Sequence, residues 1–467
     1  MKWLNDRLEL FLIPLLLGGV FFLTFRLAPD APFSGSVSYA NNLFDDSVVH
    51  EIRVTLPDSS LEKLLTDSAD KEKFLANVSI DGNFLEGVSF STRGNASLEA
   101  LSDSGDTKRF SYRLNFDYFS DGKNYFGLDK LVLNNLYADA SYLKDYTAFQ
   151  IMSAAGVETP LCSFANFYIN DELIGLYLAI EDYDRSFLAR TGSSHDAALF
   201  KPEALGHDKQ RLRALKETLK EGEELDVEVD ATSPDFVFLG ADLVYRGDNP
   251  GAYSDIFSNS LVKHSPETEK YIIDGIRSLE TLESPEKYWD IPALAKYFAA
   301  HNLIISDDSY TGYVAHNYVL KVTPSGSTFL PWDYNLAFNT HWYEGVSTET
   351  DNVVSIPIDE PLLGKIDLSR RPLWRLFAEN DDYINLYHFE LQSLLNKIFN
   401  NGALEEKLDE IVELITPSVE ADPTRFYSLE DFTAAVDYMK SFLYRRSDFI
   451  QQEIWNLEKI PELSSED

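Results

Sequence analysis

Residues 36–184 are mostly short alternating segments separated by turn signals, and this pattern constrains the fold of the chain more than any other feature. Residues 50–56 alternate apolar and polar side chains, and so do residues 109–119. Asp81-Gly82 separates two further segments in a way typical of a β-hairpin, and a second hairpin is predicted at Asn170. Because alternation with a period of two buries one face of a strand, this part of the chain is predicted to be rich in β-strands.

Helical patterns dominate the second half of the chain. Asp290 is predicted to cap a helix that carries Pro292 in its first turn, and the residues after Arg371 are mostly amphipathic. One helix, over residues 140–156, is expected within the strand-rich part, with Gly156 as its stop signal. Strands followed by helices predict an α+β fold, and 467 residues are enough for two lobes.

The pattern divides the chain into four predicted regions. Residues 36–185 form a strand-rich lobe, and residues 290–467 form a mostly helical lobe. The more polar residues 186–289 connect them and include a charge-rich segment, residues 209–225, that is predicted to be an exposed helix. Residues 1–35 precede the first lobe as an anchor and linker.

Residues 10–25 are a largely apolar run that follows Lys2 and Arg7. Sixteen residues are short for a membrane-spanning helix and suffice for a signal-peptide core. Because no small-residue cleavage site follows, we expect an uncleaved, hydrophobic N-terminal helix that anchors the protein in the membrane with its body outside the cytoplasm. The alternative is a cleaved signal, which would give a secreted protein.

Charge and cysteine content exclude several classes of function. The formal net charge of −37 argues against sequence-independent nucleic-acid binding, which requires a basic surface. Cys162 is the single cysteine, so an intramolecular disulfide and a cysteine-based zinc site are both excluded. Such a chain suits a disulfide-poor bacterial exterior.

Asp308, Asn317 and Asp333 are predicted to come together in the helical lobe. Asn317 opens the first strand of a short hairpin, Asp333 ends the second, and Asp308 lies in a loop after a helix. Carboxylate and amide oxygens suit a hard divalent cation, and a further carboxylate can deprotonate an attacking hydroxyl. The trio therefore favours phosphoryl transfer. The alternatives are structural: a turn cap at Asp308, a strand end at Asn317, or a side chain at Asp333 that binds the turn at Asn335.

The chain resembles the CotH kinase family, whose members are atypical kinases related to spore coat protein H. The resemblance covers nearly everything after the anchor and rests on ordered segments that include "STRGN", "YFGLDKLVLNNLYADASYLKDY", "LFKPE", "DDSYTGYVAHNYVL" and "LPWDYNLAFN". It implies a two-lobed atypical protein-kinase-like fold that uses ATP with Mg or Mn. The implied partner is a protein substrate, such as a surface or spore-coat protein.

The resemblance also implies roles for the trio. Asp308 would be the catalytic base, and Asn317 and Asp333 would hold the metal. Asn339 stands where many members have glycine, and asparagine tolerates the positive φ that such a turn requires.

On the nucleotide side, the resemblance implies a cation near the phosphates. Arg113 stands where a lysine is expected, and Asp145 is its predicted helix partner. Arg93 and Lys201 are further candidates for this cation. Glu181 ends the strand that would pass the adenine, where its backbone would matter more than its carboxylate.

The leading prediction is transfer of phosphate from ATP to Ser or Thr of an extracytoplasmic protein. A catalytically silent scaffold for coat or cell-wall assembly is one alternative, motivated by Arg113. Nucleotidyl transfer in the same cleft is the other.

Overall fold

The computed structural model describes most of the chain, namely residues 38–104, 107–194, 196–203, 238–306, 308–312, 314–339, 351–363, 366–399 and 402–459. All of these residues belong to one compact unit, Val37–Asp467. The predicted anchor at residues 10–25 and the predicted charge-rich helix at residues 209–225 lie outside the described residues. None of the helices in the described ranges combines the length and the apolar character that crossing a membrane requires.

The strand-rich part is a closed β-barrel. Its strands are β1 (His50–Thr55), β2 (Phe74–Ile80), β3 (Asn83–Arg93), β4 (Ser111–Asn115), β5 (Lys130–Asn134), β6 (Cys162–Ile169) and β7 (Glu172–Glu181). Their order around the barrel is β1-β2-β3-β4-β5-β7-β6, and a parallel pairing of β1 with β6 closes it. Closure pairs both edges of the sheet, which leaves no open edge for another chain to join.

The two predicted hairpins are confirmed. Ile80 pairs with Asn83 across the first turn, and Asp81 and Gly82 have φ of 47° and 81°. Asn170 and Asp171 form the second turn, with φ of 48° and 65°. Two successive residues with positive φ are the requirement of a type I′ turn, which explains why Asp, Asn and Gly occupy these positions.

Helices form most of the second half of the described chain. They are α1 (Ser38–Leu43), α2 (Asp58–Thr66), α3 (Ala96–Ser104), α4 (Lys144–Ala155), α5 (Arg185–Arg190), α6 (Ser254–Phe257), α7 (Pro266–Thr281), α8 (Ile291–Ile304), α9 (Asp351–Val354), α10 (Pro372–Ala378), α11 (Asp381–Ile398), α12 (Ala403–Ala421) and α13 (Leu429–Lys459). The barrel and these helices confirm the prediction of an α+β fold.

The predicted helix signals are confirmed with one change of boundary. The Asp290 carboxylate accepts a hydrogen bond from the Ala293 backbone N–H at 3.1 Å and caps α8. Gly156 ends α4 in a left-handed conformation. This helix begins at Lys144 rather than at residue 140, because the preceding Tyr142 has a φ of 61°.

A second, smaller sheet carries the predicted hairpin. Strands β9 (Tyr318–Thr323) and β10 (Gly326–Pro331) are antiparallel, and Pro331 lies opposite Tyr318. A third strand, β8 (Ala198–Phe200), pairs with β9 and gives the order β10-β9-β8. The segment that precedes the hairpin by more than a hundred residues therefore lies beside it.

Alternate residues of β7 belong to two different cores. Tyr177 and Ala179 lie in the barrel interior, whereas Leu176 and Leu178 pack with the helices. A strand buried on both faces has a nearly continuous apolar sequence, as "LIGLYLAIE" does.

Candidate active site

The β9–β10 hairpin brings Asn317 and Asp333 to neighbouring strand ends. Pro331 pairs with Tyr318, so Asn317 directly precedes one paired strand and Asp333 follows the other after a single residue. Both residues have left-handed backbones, with φ of 51° and 55°. Such conformations are unfavourable for side chains with a Cβ and concentrate at functional sites.

Asp308 joins this pair through a direct hydrogen bond. The Asn317 amide nitrogen donates to Asp308 Oδ2 at 2.6 Å, and the Ser306 hydroxyl donates to Asp308 Oδ1 at 3.2 Å. Because the amide nitrogen of Asn317 is directed at Asp308, its amide oxygen is left to accept another ligand. The structure thus brings Asp308 and Asn317 together, with Asp333 at the adjoining strand end.

His301 of α8 connects the loop that carries Asp308 with the residue that follows Asp333. Its Nε2 lies 2.9 Å from the Ser309 hydroxyl and 3.1 Å from the Thr311 hydroxyl, and its Nδ1 lies 3.4 Å from the Tyr334 hydroxyl. Burial lowers the pKa of His301 to about 4, so the ring is neutral at neutral pH. Sequence reasoning missed this residue, since nothing near it in the chain marks its distant partners.

Helix α4 contacts the segment around Asp333 through its first two residues. Asp145 Oδ1 accepts a hydrogen bond from the Tyr334 backbone N–H at 2.6 Å, and the Lys144 ammonium donates to the Asn335 carbonyl at 2.7 Å. Burial raises the pKa of Asp145 to about 7, and the negative charge of Asp333 adds to this rise.

Arg113 pairs with a different carboxylate from the one predicted. Its Nε lies 3.0 Å from Asp182 Oδ2, directly after β7. The predicted Arg113–Asp145 pair is therefore wrong: Asp145 binds the backbone of Tyr334 instead. Burial alone would raise the pKa of Asp182, but the positive charges around it, chiefly that of Arg113, outweigh burial and lower this pKa below its ordinary value.

Arg93 and Lys201 lie beside the tryptophan that precedes Asp333. The Arg93 guanidinium is 4.5 Å from the Trp332 ring centroid, and the Lys201 ammonium is 5.5 Å from it. Burial and the neighbouring charge of Arg113 lower the pKa of Arg93 to about 10, which still leaves it protonated at neutral pH. The structure therefore brings these two predicted cations to the Asp333 strand end.

Lys71 is a further cation that sequence reasoning missed. Its ammonium donates to the Asn95 side chain at 2.8 Å, and Lys201 forms an ion pair with Glu203 at 2.8 Å. Burial lowers the pKa of Lys71, and neighbouring positive charges contribute to the decrease. The charges of Arg93, Arg113 and Lys201 all act on Lys71, and we call these four residues the cation cluster: Lys71, Arg93, Arg113 and Lys201.

The Glu181 side chain is committed to a structural role. Its buried carboxylate accepts hydrogen bonds from Arg190 Nε at 2.9 Å and Nη2 at 2.6 Å, and also from the Tyr39 hydroxyl. Its hydrogen-bond partners are thus Arg190 and Tyr39 rather than a residue of the cation cluster. A role for its backbone beside adenine stays a prediction.

The donor set at the hairpin suits a hard divalent cation. Within the described residues, no hydrogen bond is donated to the Asp333 carboxylate, and Asn317 offers an amide oxygen. The described ranges contain no group of three His, Cys, Asp or Glu side chains placed to hold a metal. Mg²⁺ commonly takes one or two protein oxygens and completes its shell with water and substrate phosphates, so two protein ligands are sufficient.

Comparison with known proteins assigns the family. Residues 90–450 match the model of the family described as CotH kinase protein. The chain belongs to the CotH kinase family. Asp308, Asn317, Asp333 and most of the barrel fall within the matched range.

Individual relatives of this family member are distant. The inner spore coat protein H of Bacillus subtilis (strain 168) is 23% identical over 351 residues, which cover 75% of this chain and 84% of the relative. The crystal structure of the Helicobacter pylori proinflammatory kinase CtkA is 12% identical and covers 74% of this chain and 95% of its own, with a TM-score of 0.30. A Shewanella oneidensis MR-1 structure of the toxin–antitoxin system HipA, HipB and its operator DNA is 13% identical and covers 74% and 65%, with a TM-score of 0.31.

Proposed function

We propose that this CotH kinase family member transfers the γ-phosphoryl group of ATP to a Ser or Thr hydroxyl of a protein. The observation that carries the proposal is the 2.6 Å hydrogen bond between Asn317 and Asp308 at the strand end next to Asp333. The cation cluster near Asp333 provides the positive charge that a polyphosphate requires.

The trio has two tasks in this proposal, proton acceptance and metal binding. The Asp308 carboxylate orients the acceptor hydroxyl and takes its proton as the oxygen attacks the γ-phosphorus. The amide oxygen of Asn317 and the carboxylate of Asp333 would hold Mg²⁺ or Mn²⁺. When bound, the divalent cation neutralises charge on the phosphate oxygens. The cation cluster holds the phosphates in line for transfer.

The proposed acceptor is a protein of the cell surface or of a spore coat. The relative from Bacillus subtilis is named an inner spore coat protein, which supports a coat context. The apolar run at residues 10–25 would place the catalytic body outside the cytoplasm, held at the membrane or secreted after cleavage. The net charge of −37 supports a protein partner rather than nucleic acid.

The test uses the full chain with Mg²⁺ or Mn²⁺ and ATP labelled at either the α- or the γ-phosphorus, with the chain itself and casein as acceptors. Label should transfer from the γ-position alone, and Asp308→Ala and Asp333→Ala should each reduce the rate at least about 100-fold. Asp359→Asn serves as the control. The Asp359 carboxylate forms its ion pair with His388, at 2.6 Å, rather than with a residue of the trio, so this variant should keep the full rate.

Other outcomes would contradict the proposal. Transfer of the α-label would show nucleotidyl transfer. Nucleotide binding without any transfer would favour the catalytically silent scaffold. Equal labelling of the wild type and both trio variants would show that the reacting groups lie elsewhere.

A further inference from the structure

Lys144 and Asp145, at the start of α4, form hydrogen bonds with the backbone of the segment that carries Asp333. Asp145 accepts the Tyr334 backbone N–H at 2.6 Å, and Lys144 donates to the Asn335 carbonyl at 2.7 Å. The two residues immediately after Asp333 are thus each bound through their backbone. Because hydrogen bonds to the backbone restrict the path of the chain, these two contacts constrain the backbone at Asp333, where φ is 55°.

The same two side chains are also bound from the barrel side. The second oxygen of Asp145 accepts a hydrogen bond from the Asn134 side chain of β5 at 2.8 Å, and Lys144 donates to the Ala138 carbonyl at 2.7 Å. Both side chains are only 3% exposed. Burying charge is costly unless hydrogen bonds satisfy it, and here those bonds connect the barrel, α4 and the Asp333 segment.

We propose that Lys144 and Asp145 are positioning residues for Asp333. This inference rests on the proposed function, in which Asp333 is a metal ligand. The pair holds the left-handed turn so that the Asp333 carboxylate is presented beside Asn317 before any metal binds. The family resemblance would pair Asp145 with Arg113, but the geometry pairs it with the backbone of Tyr334, the residue after Asp333.

The test measures Mn²⁺ affinity of the full chain in the presence of ADP, by electron paramagnetic resonance of free Mn²⁺. Asp145→Ala should weaken binding about 10- to 100-fold, as is typical when the support of a metal ligand is removed. Asp145→Asn should weaken it less, because its amide oxygen still accepts the Tyr334 N–H. Lys144→Met, which keeps the length of the side chain but not its donors, should also weaken binding.

A matched control separates positioning from a general loss of stability. Asp422 is another buried aspartate that accepts a backbone N–H across elements, from Leu176 at 3.0 Å. Asp422→Asn should lower the urea midpoint of unfolding without changing Mn²⁺ affinity.

In phosphoryl-transfer assays, the Asp145 variants should raise the metal concentration required for half-maximal rate, with a smaller change in kcat at saturating metal.

Asp333→Ala distinguishes the two levels of the proposal. If this variant loses Mn²⁺ affinity while Asp145→Ala and Lys144→Met bind as tightly as the wild type, the positioning role is wrong and the metal site stands. If Asp333→Ala itself binds Mn²⁺ normally, Asp333 is not a metal ligand, and the proposed positioning role of Lys144 and Asp145 is wrong as well. If Asp145→Ala does not fold, Asp145→Asn and Lys144→Met still decide the question.

Discussion

Arg113 illustrates how a residue can be found from sequence while its partner is not. Alternation predicted the strand that is now β4, and the family resemblance pointed to Arg113 within it. Its partner is Asp182, at the end of β7, rather than Asp145. Ion-pair choice depends on side-chain placement across the barrel, and no spacing in the chain encodes it.

The same limit explains why Lys71 and His301 were missed. Lys71 lies in a loop just after a short helical turn and reaches the cation cluster only through the fold. His301 is one of many buried residues of α8 until its contacts with Ser309 and Tyr334 are seen. The proximity of Asn317 and Asp333 was predictable because a hairpin brings its two strand ends together, and the loop with Asp308 precedes that hairpin by only a few residues.

Asp184 is expected to make stability depend on pH. This residue caps α5, and its buried Oδ2 has no hydrogen-bond partner among the described residues. Burial raises the pKa of Asp184 to about 7, well above its value in an unfolded chain. The folded state therefore holds a proton that the unfolded state releases, so the free energy of unfolding attributable to Asp184 falls as pH rises from about 4 to 7.

Asp184→Asn removes that ionisation and keeps the capping oxygen for the Ser186 N–H. The variant should be more stable than the wild type by about 1–3 kcal/mol at pH 8, and the gain should largely disappear by about pH 4. Urea unfolding at both pH values measures it. Asp290→Asn, which replaces the cap of α8, is the control; a gain at Asp184 that does not grow with pH would contradict the prediction.

The barrel and α12 are joined by a fully buried ion pair. Arg109 and Asp422 are 2.6 Å apart with no exposed side-chain surface, and Arg109 also donates to the Leu176 carbonyl at 3.0 Å. Asp422 directly follows the last residue of α12. Breaking such a pair leaves an uncompensated buried charge, so the contact fixes how the barrel sits on the helices.

Gly175 is the residue that allows this approach. A Cβ at Gly175 would overlap both the Arg109 guanidinium and the Asp422 carboxylate. Gly175→Ala should therefore lower the free energy of unfolding by about 1–3 kcal/mol more than Gly192→Ala, measured by urea unfolding. Gly192 also has a positive φ, 67° against 153° at Gly175, but no atom within 4 Å of the added Cβ, so it gives the loss for a left-handed glycine in open space. Equal losses would show that the ion pair tolerates displacement.

Turns, helix ends and hairpins were predictable from the sequence where the residues that determine them lie close together in the chain. The turns at Asp81-Gly82 and at Asn170, the cap at Asp290 and the β9–β10 hairpin are all confirmed, because each depends on residues a few positions apart. The barrel was not predicted. Its closure depends on the parallel pairing of β1 with β6, which joins segments more than a hundred residues apart.

The molecule as a whole is held together by strands that serve two cores. Leu131 and Leu133 of β5 lie in the barrel core, whereas the intervening Val132 belongs to the core shared with the helices. Strand β7 alternates in the same way. This sharing explains why the barrel and the helices form one compact unit rather than separable domains.

That arrangement also places the proposed chemistry between the two cores. The hairpin with Asn317 and Asp333 packs with the helices, while Arg93 and Arg113 extend from β3 and β4 of the barrel. In the proposed function, the metal ligands Asn317 and Asp333 thus lie on the helical side, and Arg93 and Arg113 face them from the barrel side.

The most direct test of the account separates metal binding from transfer. Asp308→Asn and Asp333→Ala are compared with the wild type in two assays on the full chain, Mn²⁺ affinity in the presence of ATP and the rate of γ-phosphoryl transfer. We predict that Asp308→Asn binds Mn²⁺ within about threefold of the wild type and loses transfer at least about 100-fold, whereas Asp333→Ala loses both. Normal transfer by Asp308→Asn, or normal Mn²⁺ affinity in Asp333→Ala, would contradict the account.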